Sequence, residues 1–223
     1  MDFMKWLNSL DELLYEVMSW LLFFPLTLAR AALWPIATMR VIQEQVALPD
    51  DKQYSSVLSP PLFLSLSLLI THAVSAALGQ TDAIIANQHG LAALVTDNSS
   101  ALVLRVIVFA SFPLFLAARL VRRRGLALDR DTLQQPFYEQ CYPTAVFALG
   151  LGVGTSLTAA SGEWAKAAGV ALILASVINY VIVEVRWFAR SIGCGYLRAA
   201  RSVAIGLLEG STFLLIISFL FTR

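Results

Sequence analysis

The stretch AKAAGVALILASVINYVIVEV, Ala165 to Val185, decides the class of the fold. Its only charged residues, Lys166 and Glu184, sit near the two ends of an otherwise apolar run. At about 1.5 Å per residue, a helix of this length crosses the ~30 Å hydrocarbon core of a bilayer. Working outward, four more stretches of similar length and character run from Pro60 to Leu78, Ala101 to Ala118, Gln140 to Ala159 and Ser202 to Phe221. Composition agrees: of 223 residues, 58% are hydrophobic and 14% charged, and the mean hydropathy is +0.71, whereas a soluble domain carries roughly 25% charged residues. The expected fold is an all-α membrane protein with about five transmembrane helices and an N-terminal interfacial amphipathic helix. Residues 1–57 form the membrane-associated segment and linker, and residues 58–223 the five-helix domain.

The amphipathic helix is read from Phe3, Trp6, Leu7, Leu10, Leu13, Leu14, Val17 and Leu21, which recur at helical spacing opposite Asp11, Glu12 and Glu16. Trp6, Trp20 and Trp34 return to nearly one face, and tryptophan favours the membrane boundary. Trp20 to Met39 is long enough to span, but Pro25, Arg30 and Pro35 interrupt it. A central Arg costs about 2.5–3.5 kcal/mol on insertion scales, so the expectation is a bent, interfacial or re-entrant path. The segment lacks the basic start and cleavable core of a secretory signal, so it is expected to belong to the mature fold. A polar linker, PDDKQYSS, then leads to Ser59-Pro60, an expected N-cap and first helical residue.

Basic residues assign the sides. Arg119, Arg122, Arg123, Arg124 and Arg130 fall in one loop, and Arg186, Arg190, Arg198 and Arg201 in another. Alternation puts both on the face of the N-terminal segment, which the positive-inside rule makes cytoplasmic. A net charge of +1 offers no surplus of cations for nucleic acid, and two cysteines, Cys141 and Cys194, are too few for a disulfide framework or a usual zinc site. No H-E-x-x-H, no G-x-S-x-G and no Asp within a span is present. The expectation is therefore no catalytic residue, no metal, no cofactor and no enzymatic activity. Gly150, Gly152 and Gly154 lie within an apolar span without a P-loop lysine and read as helix packing. Asn98-Ser99-Ser100 matches a glycosylation acceptor in the opposite loop.

Polar residues within spans mark candidate sites, because an unpaired ionisable group in hydrocarbon is costly. His72, with Ser65 and Ser75 on one helical face and Thr71 beside it, is either a proton-linked or ligand-binding group or a donor of interhelical hydrogen bonds. Glu209 shares a face with the small-xxx-small pair Gly206 and Gly210; it must be protonated, paired with an Arg or facing a wet cavity. Arg105 and Glu184 sit near span ends, where snorkelling is cheap, and Glu184 is expected to be a solvated boundary group. Arg119, Arg122, Arg123 and Arg124 suit either anionic lipid headgroups or a plain stop-transfer role. PFYEQCYPTA, Pro136 to Ala145, forms a cytoplasmic mouth or collar, with Glu139 within reach of the Arg-rich loop, Tyr142 an interface anchor and Pro143 loosening the first turn.

The proline-punctuated lead-in, PPLFLSLSLLITHAV, the basic loop and FYEQCYPTAVFALG, within five spans, resemble the Yip1-type membrane domain over roughly Leu58 to Phe221. The resemblance matches Tyr142-Pro143 to the Tyr and Pro near the start of that family's third span. It implies a non-enzymatic protein acting through membrane lipids or a membrane-protein partner, including a second copy of itself. Residue usage suggests a bacterial inner membrane. The alternative is a small oligomeric channel or transporter whose path is lined by polar residues of the first and last spans.

Overall fold

The computed structural model describes residues 2–46, 48, 54, 57–80 and 97–222, the side chains of 2–9, 98 and 220–222 excepted. The described residues form seven helices: α1 (Asp2–Leu33), α2 (Pro35–Val46), α3 (Pro60–Ala77), α4 (Asn98–Arg123), α5 (Arg130–Thr158), α6 (Glu163–Ile192) and α7 (Tyr196–Thr222). Six of them contain segments long and apolar enough to cross a membrane, in α1 and in α3 to α7. The all-helical membrane class therefore holds. The polar linker apart from Tyr54, and the amphipathic middle of the loop before α4, lie outside the described residues.

Local chemistry sets the helix ends. Asp97 accepts from the Ser100 backbone N–H at 2.7 Å, and the Asp97 backbone N–H donates to the Ser100 hydroxyl oxygen at 3.3 Å, a capping box that starts α4. Asp129 and Thr132 form the same box before α5. That second box begins the helix at Arg130, well before Gln140, and so winds PFYEQ into α5. Ser59 holds the N-cap position of α3 without a side-chain bond, and Pro60 and Pro61 open the helix. Gly193, at φ 66°, ends α6 in the left-handed conformation.

The expected bend within Trp20 to Met39 is displaced. Helix α1 runs through Pro25 and stops only at Trp34. Pro35, lacking an N–H, cannot continue the ladder and instead starts α2. Trp20, Phe23, Phe24, Thr27, Leu28 and Ala31 hold α1 against the bundle, whereas residues 11–18 are exposed on every face. Phe24 meets Phe63 of α3 with ring centroids 5.4 Å apart.

Helix α5 is central, packed against α2, α3, α4 and α6. Its glycines permit that closeness, as their sequence context predicts. A Cβ on Gly150 would meet Ser176, on Gly152 Thr71, and on Gly154 Ile173 and the Gly169 carbonyl. Gly206 and Gly210 likewise lie against Leu116, Phe112 and Phe115 of α4.

Candidate intramembrane polar site

Up-and-down connection brings the C-terminal ends of α4 and α6 together with the N-terminal ends of α3, α5 and α7. Tyr180, Glu184 and Trp187 recur at i, i+4 and i+7 along one face of α6. They meet Glu139, Gln140 and Thr144 of α5 in a buried polar seam. The Trp187 indole N–H donates to Glu139 Oε2 at 3.2 Å, and the Gln135 amide to Oε1 at 3.1 Å. Gln43 of α2 and Arg124 also face this carboxyl group. Further in, the Thr144 and Tyr180 hydroxyls lie 3.2 Å apart.

Glu184 is 0% exposed, which corrects the expected solvated boundary group. Its place on the α5-facing side of α6, rather than its distance from the helix end, decides its surroundings. Gln140, Glu139 and Tyr180 are its electrostatic neighbours. Gln140 stands close enough to act on the carboxyl group but outside hydrogen-bond geometry. Both side-chain polar atoms of Gln140 and both carboxyl oxygens of Glu184 are without a hydrogen-bond partner. Met39, Leu116, Leu120, Val183 and Phe188 form the surrounding apolar packing.

The expected cytoplasmic mouth is closed. Glu139, Tyr142 and Pro143 are all buried, because this turn of α5 faces its neighbouring helices rather than water. Tyr142 is no interface anchor: its ring stacks on Phe63 at 5.2 Å and its hydroxyl donates to the Leu58 carbonyl. The polar groove at this end lies one turn away, a space of about 430 Å³ between Tyr54, Ser59, Gln134 and Tyr138. Burial, then the neighbouring Tyr138 and Cys141, push the Tyr54 phenol up to about 12.

The arginine cluster divides. Arg119 pairs with Glu209 at 3.4 Å, which selects the Arg-paired alternative for Glu209. Arg123 donates through Nε to Ser202 at 3.1 Å, a second tie between α4 and α7. Arg124 is half-buried beside Glu139, and Arg122 is exposed. No family model, curated protein or solved structure matches this chain.

At the opposite end, the Gln80 amide donates to the Ser156 carbonyl at 2.7 Å and the Ser75 hydroxyl donates to Gln80 at 3.1 Å. Arg105, Thr71, Ser75, Gln80, Thr155 and Ser156 line a cavity of about 250 Å³ there. His72 is half-buried on α3 and does not line it. Cys141 and Cys194 are free thiols, the former buried. Among the described residues, no three His, Cys, Asp or Glu side chains gather as a metal site. Sequence reading missed Gln140, Thr144, Tyr180 and Trp187; the stripe of Tyr180, Glu184 and Trp187 was the available signal.

Proposed function

We propose that the protein is a Yip1-like polytopic protein of a bacterial inner membrane, without catalytic activity, that works through its basic face. That face contacts anionic lipid headgroups or a partner membrane protein, a second copy included. One observation carries this reading: residues 11–18 of α1 are exposed on every face. Exposed Arg122, Arg130, Arg190, Arg198 and Arg201 occupy the connected end of the bundle where α4 to α7 turn. A helix whose residues 11–18 are uncovered, with Leu13, Leu14, Met18 and, beyond them, Leu21 exposed, suits the membrane interface. Each arginine near anionic headgroups adds about 1 kcal/mol. The positive-inside rule makes this face cytoplasmic.

Lipid retained by the purified protein, compared between phosphatidylglycerol and phosphatidylcholine by native mass spectrometry, tests the proposal. Arg122 and Arg130 are the residues to reverse, because Arg119, Arg123 and Arg124 already serve interior contacts. The double variant Arg122→Glu, Arg130→Glu is expected to lose the preference for the anionic lipid while still inserting. Unchanged retention removes the lipid part of the proposal.

A small oligomeric channel or transporter is the second reading, favoured by the cavity around Arg105 to which the first span contributes Thr71 and Ser75. The last span does not support it in the same way, since Glu209 is held by Arg119. Solute flux in liposomes that Thr71→Val or Arg105→Gln abolishes is what this reading requires.

A further inference from the structure

Glu184 lies about 12 Å from the end of α6, at 1.5 Å per residue, with neither carboxyl oxygen hydrogen-bonded. A buried carboxyl group has three ways to be stable: a cation, a set of donors, or a proton. Its neighbour Glu139 has donors from Trp187 and Gln135, with Gln43 and Arg124 facing it. Glu184 has Gln140, Glu139 and Tyr180 around it and no cation among the groups acting on it. Two adjacent carboxylates in a low-dielectric interior cannot both remain ionised. The asymmetry of donors decides which of them holds the charge.

We propose that Glu184 is a proton-binding site inside the bundle, with Gln140 as its hydrogen-bonding partner and Glu139 as the fixed charge beside it. Uptake forms one O–H bond on the Glu184 carboxylate from a proton of the aqueous phase, and release breaks that bond and returns the proton. No electron moves. One proton accounts for both anomalies of the seam. A carboxylic acid donates through its O–H and accepts through its carbonyl, and a primary amide does the reverse. Glu184 and Gln140 can then satisfy each other with a small side-chain rotation. The titratable groups facing the pair are Glu139 from α5 and Tyr180 from α6, while Arg124 at the end of α4 faces Glu139. Helix α2 adds Gln43 near Glu139 and apolar Met39, and α7 adds apolar Ala199 and Val203. The site stands whether or not the basic face binds lipid.

Infrared spectroscopy of the reconstituted full chain tests this through the C=O stretch of a protonated carboxyl group. The parent protein is expected to show the band at neutral pH, to shift it in D2O and to lose it on alkalinisation with release of one proton per chain. Glu184→Gln is expected to lack the band and Glu139→Gln to keep it. Absence of the band in the folded parent overturns the proposal, as does a band unchanged in Glu184→Gln. A band that disappears when sodium replaces choline at constant pH also overturns it, since the site would then take a metal cation. Should Glu184→Gln not fold, Glu139→Gln decides, since loss of the band there would put the proton on Glu139 and overturn the proposal.

Discussion

Replacing Gly169 by alanine would place a methyl carbon 2.6 Å from the Gly154 carbonyl oxygen and 2.8 Å from the Thr158 backbone nitrogen. Ordinary contacts begin near 3.4 Å, so α5 and α6 must separate locally by about 0.8 Å. Both obstructing atoms are backbone, and no rotamer change can relieve them. Overpacking of this kind costs about 1–3 kcal/mol, or about 5- to 150-fold in the folding equilibrium. The assay is unfolding of the purified protein by SDS in mixed micelles, with Gly195→Ala alongside. A Cβ at Gly195 meets nothing within 4 Å, so that variant should lose less than Gly169→Ala, its cost limited to the N-cap preference for glycine over alanine. Equal midpoints for Gly169→Ala and Gly195→Ala would refute the claim that direct backbone contact sets the spacing of α5 and α6.

Tyr142→Phe removes the donor to the buried Leu58 carbonyl and should destabilise by about 1–3 kcal/mol in the same assay; no change would mean the carbonyl finds another partner. The Arg119 and Glu209 side chains keep 21% and 33% of their exposure, so a double-mutant cycle on the pair should give a coupling below about 1 kcal/mol. A much larger value would place the pair in a drier setting than its exposure implies. Backbone and side-chain hydrogen bonds from Thr132 hold the Asp129 carboxyl group below its ordinary value. Its contribution is therefore present above the unfolded-state value and lost as pH falls through the folded one. Acidification should lower the protection factors of amides in the first turn of α5, with intrinsic exchange divided out, and Asp129→Ala should abolish that dependence. Burial raises the Tyr54 phenol, so the contribution of its neutral form should be lost as pH climbs from 10.0 toward about 12. Tyr54→Phe should flatten the melt over that window.

Long apolar runs made α3 to α7 legible, because hydrocarbon thickness fixes their length and excludes charge from their centres. Glycine spacing also conveyed the packing: Gly150, Gly152 and Gly154 each meet a neighbouring helix. Helix starts were harder to read. The Asp129 and Thr132 box precedes ten polar-rich residues that hydropathy assigns to a loop, although their hydrogen bonding makes them helix. Pro25 looked like an interruption, but one missing N–H does not end α1. The polar seam was least visible, since average hydropathy records how deep a residue lies and not which helix it faces. Glu184 and Glu139 became interior residues through the pairing of α5 with α6, a tertiary fact. Glu209 gave a clearer signal, because depth in a span already required a partner such as Arg119.

Sided cysteine labelling tests most directly the claim that α1 lies along the basic face of a five-span bundle. Single cysteines at Asp11, at Leu126 in the turn between α4 and α5, and at Ser161 in the turn between α5 and α6 are placed in a Cys141→Ala, Cys194→Ala background. Sealed vesicles are then treated with a membrane-impermeant maleimide. Asp11→Cys is expected to label from the same side as Leu126→Cys and opposite Ser161→Cys. Labelling of Asp11→Cys from the side of Ser161→Cys would contradict it, because Leu10–Leu33 would then cross the bilayer as a sixth span.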